Sequence, residues 1–317
     1  VLEERVNCCY FRDEVALQVK FAGTSLNRGG AGIFSSCASL YSADCLSQNF
    51  QGVSKMFPSR RFLLRNFSFL LLFLATCAGH SVAAQGQAPQ FRVIALAEHG
   101  GIHQPFVDAA KIWLGKLAKE NNFTVDYIED TEKINDDFLA KYNLLIQLNY
   151  PPYNWTDTAK AAFVKYIEEG RGGWIGFHHA TLLGEFDGTQ IWPWFRDFMG
   201  GIRFQNYIAT FVTGTVTIED QQHPAMKGVP SSFVVENEEF YTYDKSPRPN
   251  VHVLASVNEK TYTPSTEIKM GDHPVVWTND HMKARNIYIF MGHHPELFQN
   301  SAYTQIVKNS IFWAASK

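Results

Sequence analysis

From about residue 90 onward the sequence predicts an α/β domain: a mostly parallel sheet covered by helices, with an antiparallel β extension. Two observations carry this. As far as residue 177, short apolar runs alternate with segments of helical apolar period, the signature of βαβ units. Beyond residue 208, β-rich runs follow one another with little helix between them.

Residues 91–97 (FRVIALA) form a short apolar run closed by turn residues, as a strand buried on both faces requires. Pro105 then opens a helix, since its fixed φ suits the first helical position. Phe106, Ala109, Ala110, Trp113, Leu114 and Leu117 follow the 3.6-residue period of one helical face. Residues 124–128 alternate as a second strand, and 143–148 (NLLIQL) form a third, ending at Tyr150-Pro151-Pro152. Thr156 or Asp157 can cap a helix carrying Ala161, Phe163, Val164 and Ile167, which stops at Gly170. Residues 173–177 make the fourth strand. The extension reads as 208–218 and 233–243, followed by strands at 251–257, 275–278 and 287–291 and a closing helix at 303–314. No internal repeat or linker interrupts this stretch, so one domain of about 225 residues is expected.

Composition excludes some functions. With 45% hydrophobic residues, 19% charged residues and a net charge of -3, the chain has the make-up of a globular protein and no basic surplus for nucleic acid. All five cysteines (Cys8, Cys9, Cys37, Cys45, Cys77) precede residue 85, so the domain has no disulfide, thiolate ligand or cysteine nucleophile. Its chemistry rests on imidazole, carboxylate, hydroxyl or a metal.

The preceding segment reads as an export signal at 56–84. Met56 is the first methionine; Arg60, Arg61 and Arg65 form a basic region, residues 67–75 an apolar core, and Ser81-Val82-Ala83-Ala84 a small-residue cleavage site. The apolar run is too short to favour a spanning helix, so no membrane association beyond export is expected. The paired arginines also fit a twin-arginine route, whereas Leu74-Ala75-Thr76-Cys77 is a poor lipidation site. A periplasmic or secreted protein is expected. Residues 1–55 are expected to be disordered, non-native upstream sequence, since a leader must stand first to be read.

Ligands of open parallel sheets bind beyond the carboxyl ends of the strands, and three histidine pairs fall there: His99 and His103, His178 and His179, His293 and His294. Imidazole serves both as a metal ligand and as an acid or base near neutral pH. Gly100-Gly101 makes the first pair part of a loop and not a helical metal motif. Glu236-Asn237-Glu238-Glu239-Phe240-Tyr241 offers a carboxylate partner. The run Ile191-Trp192-Pro193-Trp194-Phe195-Arg196-Asp197-Phe198 is dense enough in apolar residues for core or lid packing, with sugar stacking as the alternative.

These motifs resemble the ThuA-like (trehalose-utilisation) family. The resemblance rests on Gly172-Gly173-Trp174-Ile175-Gly176-Phe177-His178-His179-Ala180, His223-Pro224 with Gly228-Val229-Pro230, and Glu238-Glu239-Phe240-Tyr241. Pro247-Arg248-Pro249-Asn250-Val251-His252-Val253-Leu254, Asp272-His273-Pro274-Val275-Val276-Trp277 and Met291-Gly292-His293 complete it, in family order across nearly all of 91–317. It implies a three-layer α/β/α, flavodoxin-like fold similar to class I glutamine amidotransferases, with His178 at the elbow where those enzymes carry the nucleophilic Cys. With no cysteine after Cys77, thiol-dependent glutamine hydrolysis is excluded on chemistry. Two positions depart from the family pattern: Tyr207 stands where many relatives have His, and Glu238 where they have Asp.

By matched position the resemblance implies His103, His178, Glu239 and His293 as site residues, with His103 and His293 holding a divalent metal (Zn, Mn, Fe or Ni) and His178 and Glu239 catalytic. His99, His179, Trp192, Tyr241 and His294 are candidate substrate contacts. The implied substrate is a disaccharide or 3-keto-glycoside, with a sugar dehydrogenase as pathway partner. A ketone at C3 acidifies the C2 hydrogen, so a base together with a metal on the carbonyl oxygen can expel the glycosidic oxygen from C1. The alternative is a non-catalytic carbohydrate-binding protein with Trp192, Trp194 and Tyr241 as stacking surfaces.

Overall fold

The structure, a computed structural model, describes residues 88–186 and 188–316. The expected export signal at 56–84 and the 1–55 extension lie outside these residues.

The chain runs β1 (Arg92–Ala97), α1 (Gln104–Glu120), β2 (Thr124–Ile128), α2 (Asp136–Leu139), β3 (Leu144–Leu148), α3 (Asp157–Glu168) and β4 (Gly173–Phe177). A 3-10 turn at His178–Thr181 leads to α4 (Pro193–Phe198), β5 (Phe204–Tyr207), β6 (Val212–Ile218), β7 (Ser232–Glu238) and β8 (Tyr241–Tyr243). β9 (His252–Thr263), β10 (Pro274–Thr278), β11 (Asn286–Ile289) and α5 (Ser301–Ala315) complete it.

Nine strands form one sheet in the order β2-β1-β3-β4-β11-β10-β9-β6-β7. The first five are parallel, and each later neighbour is antiparallel. The parallel half has the flavodoxin-like order, with the last strand beside β4. Since β1→β2 and β3→β4 step in opposite directions, right-handed crossovers put α1 and α3 on opposite faces. Central strands β3, β4, β10 and β11 are buried along their whole length, as cover on both faces demands. The edge strand β7 largely alternates buried and exposed positions.

Local chemistry explains the boundaries. Thr156 Oγ1 accepts the Ala159 amide at 3.2 Å and caps α3. The Asn135 side chain caps α2, a short helix not anticipated, by accepting the Phe138 amide at 2.8 Å. α5 lies so close to β4 that a Cβ at Gly173 would stand 2.1 Å from the Ala314 carbonyl oxygen.

The 233–243 run is not one strand. Asn237 takes φ +55, the chain breaks after Glu238, and β8 leaves the large sheet to pair with β5. The break leaves Glu239 outside the ladder, facing the histidines described below.

Candidate metal centre and active site

The carboxyl ends of β1, β4 and β11 deliver one buried histidine each. His103 occupies the N-cap position of α1 but makes no capping hydrogen bond, so its side chain is free for other contacts. His178 follows β4, His293 lies just past β11, and Glu239 enters from the break between β7 and β8. One potential ligand atom from each of these four residues lies within 4.8 Å of the others. His103 Nε2 is 2.9 Å from His293 Nδ1. Glu239 Oε2 stands 3.5 Å from both His178 Nε2 and His293 Nδ1. All four residues are buried.

The elbow is strained and heavily braced. His178 takes φ +38, a left-handed conformation rare for a residue with a side chain. Tyr288 Oη donates to its carbonyl at 2.8 Å, and Thr181 Oγ1 lies 2.6 Å from Tyr288 Oη and 2.7 Å from Tyr243 Oη. On the ring, Nδ1 meets the Phe290 carbonyl at 3.3 Å, so Nδ1 is the donor. Nε2 then carries the lone pair that accepts from Tyr241 Oη at 3.0 Å. Gly292 must remain small, because a Cβ there would come within 2.8 Å of His178 Cβ and 3.0 Å of Asn149 Oδ1.

Electrostatics favour a lone-pair-rich cluster. Burial, reinforced by His179, His178 and His293, drives the His103 pKa far below its ordinary value. Burial also lowers His178 to about 3, although Glu239 opposes the shift. For Glu239 itself burial works upward, but the imidazoles of His178 and His293 outweigh it and hold the carboxyl at about 2. The neutral imidazoles of His103 and His178 therefore stand beside an ionised carboxylate, with too few protons to bridge every close approach.

A cation would resolve that conflict, and the cluster could hold one: three imidazoles and a carboxylate are donors that zinc, manganese, iron and nickel accept. Ligands of a tetrahedral zinc stand about 3.3 Å apart, given bonds of about 2.0–2.1 Å. Three of the six approaches, at 2.9–3.5 Å, lie near that spacing, and all six are within 4.8 Å. Beside the cluster, burial pushes Glu238 up to about 7. Its Oε1 accepts the Glu239 amide at 3.1 Å, while Oε2 has no hydrogen-bond partner.

The remaining expected residues divide. His179 Nδ1 donates to Glu98 Oε1 at 3.0 Å, and its ring centre lies 4.1 Å from that of His103. Glu98, His103 and His179 form a second group of close donors beside the first. His294 is half-buried, 3.2 Å from Asn237 Nδ2 through its Nε2. Tyr241 is buried and bonds the His178 ring, a bracing position and not an open stacking face.

Two expected substrate contacts lie elsewhere. The His99 side chain is 70% exposed and sits 3.4 Å from Glu129, outside the cluster. Trp192 is buried among Trp155, Phe163, Trp194 and Phe195, where its ring packs the core and has no open face for a sugar. Its apolar run already points to packing. Glu98, the last residue before the His99–His103 loop, escapes sequence reasoning; a carboxylate at a strand end beside histidines is the available signal.

A surface cavity of about 620 Å³ is lined by Trp194, Arg203, Lys245 and Asn279, among others, and includes none of the cluster residues. Since β10 runs antiparallel to β11, Asn279 just past its end marks the opposite edge of the sheet from the histidines.

A family model described as "Trehalose utilisation" (ThuA) matches residues 92–314. The chain belongs to the ThuA family. A ThuA-like protein from Bacteroides uniformis has a solved structure similar to it, with 33% identity and a TM-score of 0.65, covering 73% of this chain and 94% of that one. A ThuA-like protein from Parabacteroides merdae is similar at 16% identity and a TM-score of 0.48, covering 72% of this chain and 90% of that one. A GMP synthase component from Thermoplasma acidophilum is similar at 12% identity and a TM-score of 0.45, covering 71% of this chain and 94% of that one. No curated protein matches the chain in sequence. The ThuA domain has the doubly wound α/β order described above, with His178 at the turn that follows β4.

Proposed function

We propose that this ThuA-family chain is a metal-dependent enzyme of carbohydrate utilisation that cleaves 3-keto-glycosides by elimination. The observation carrying this reading is the convergence of His103, His178, His293 and Glu239 on one point. A bound divalent cation would act as a Lewis acid on the C3 carbonyl oxygen, making the C2 hydrogen acidic.

His178 and Glu239, the expected bases, are within ligand reach of the same point, which leaves proton transfer to another group. His179 suits it: with Nδ1 committed as donor to Glu98, its Nε2 is the nitrogen that can take a proton. The C2–H electron pair would become the C1=C2 bond, the C1–O bond would break, and the departing oxygen would take a proton from solvent. No pair of carboxylates flanking an oxocarbenium ion is needed. The substrate must come from a dehydrogenase that oxidises the C3 hydroxyl. Export on the segment at 56–84 belongs to the same proposal, on the strength of its basic, apolar and small-residue order.

A second reading, a non-catalytic carbohydrate-binding protein, is favoured by one observation. Four protein ligands complete a tetrahedral site and leave no position for substrate, whereas a six-coordinate ion keeps two. The test incubates the purified protein with trehalose and 3-keto-trehalose, with and without Zn, Mn, Fe or Ni, and follows products by mass. Metal-dependent cleavage of the keto-sugar alone supports the enzyme; sugar binding without turnover supports the second reading. His178→Ala and His293→Ala should each abolish stoichiometric metal, measured by elemental analysis, and a protein that never holds metal would sink the centre.

A further inference from the structure

With Trp192 and Tyr241 both buried, another aromatic must meet the sugar if the reading above holds. Phe211 stands at the site and was not anticipated. Its ring centre lies 4.7 Å from that of His293 and 5.0 Å from that of His294. Phe211 is half-buried as a residue and is not sealed in the core.

Its backbone is the second observation. Phe211 takes φ +49, closing a turn in which its amide donates to the Ile208 carbonyl at 3.1 Å. A bulky aromatic in the left-handed region costs of order 1–3 kcal/mol, and such outliers gather at ligand sites. Across the ladder, Val212 pairs with Glu238, and the residue before Glu238 is Asn237, also left-handed at φ +55. Two left-handed residues thus flank one pair of the β6–β7 ladder, beside the chain break that frees Glu239. The pairing brings an aromatic ring, the Asn237 amide and the His294 imidazole together, the last two 3.2 Å apart.

We propose that Phe211, Asn237 and His294 form a sugar subsite beside the metal centre. The Phe211 ring takes the apolar C–H face of a pyranose, while the amide and imidazole hydrogen-bond its hydroxyls. This mixture of one apolar platform with a few placed polar groups is what a ring bearing both C–H and O–H faces requires. The subsite rests on the carbohydrate reading of the metal centre and deepens it, assigning recognition of the sugar to residues that hold no metal.

The test measures trehalose and 3-keto-trehalose binding to the metal-loaded full chain by calorimetry, with metal content determined alongside. Phe211→Ala should weaken binding about tenfold while metal content stays unchanged, and Phe211→Tyr, which keeps the ring, should bind like the parent. Asn237→Ala should weaken binding in the same direction. If the parent binds sugar and Phe211→Ala binds it equally well, the subsite is refuted while the carbohydrate reading stands. Loss of metal in Phe211→Ala would make the ring mere packing for His293 and would also refute it. A parent that holds metal and binds neither sugar overturns the carbohydrate reading, and the subsite with it.

Discussion

Residues at the elbow are arranged for geometry at the expense of comfort. His178 is held in an unfavourable backbone conformation by hydrogen bonds from Tyr288 and Thr181, and room for its Cβ exists because position 292 lacks one. Gly292→Ala should therefore displace His178 or Asn149 by several tenths of an ångström. Metal affinity should fall about 10- to 100-fold, the usual cost of disturbing a ligand's support, with the fold intact by circular dichroism. Metal titration checks this; unchanged affinity would mean the elbow yields freely. At this scale the sequence is partly legible. His103, His178 and His293 can be placed on one rim because each follows an apolar strand-like run. Glu98 and Phe211 cannot: one acidic residue among many and one Phe among 25 carry no spacing signal. Their roles appear once a hydrogen bond to His179 or a positive φ is seen. Trp192 fails for the opposite reason, since its bulk serves the core equally well.

Among elements, periodicity and caps settle most boundaries. α3 begins after Thr156, as its hydroxyl and the apolar stripe require, and Thr156→Ala should cost about 1 kcal/mol, read as a lower urea midpoint at constant slope. β2 and β4 fall where their runs do, because a strand buried or alternating over five residues is distinctive. The 233–243 region is harder. Its β propensity continues through Glu239 and Phe240, but the chain turns there because Asn237 adopts a left-handed conformation that Asn tolerates better than most residues. The break overrides the local preference for an unbroken strand and sets Glu239 beside the histidines. α2 is invisible since four residues give too little periodicity to register.

At the scale of the molecule, two half-sheets of different construction share a seam at β11 and β10. Arg248 helps hold the antiparallel half, bonding Asp272 before β10 at 2.7 Å, Glu219 after β6 at 2.7 Å and Ser256 in β9 at 3.3 Å. Hydrogen bonds from Arg248 depress the pKa values of both Asp272 and Glu219. Carboxyls depressed on folding add stability above their unfolded pKa of about 4, and lose it as pH falls through the folded value. Arg248→Ala should thus lower the urea midpoint at pH 7 and have little effect near pH 2; the partly exposed pairing keeps the effect modest. An equal loss at both pH values would show that the arginine acts through packing alone. The seam has one more consequence. β11, the last strand among the described residues, is inserted at the middle of the sheet and carries His293 just beyond it. Within this sheet, the four parallel strands on one side of it and the four antiparallel strands on the other share no ladder except through it. A donor set that reaches from position 103 to position 293 is therefore complete only where this late strand joins the two halves.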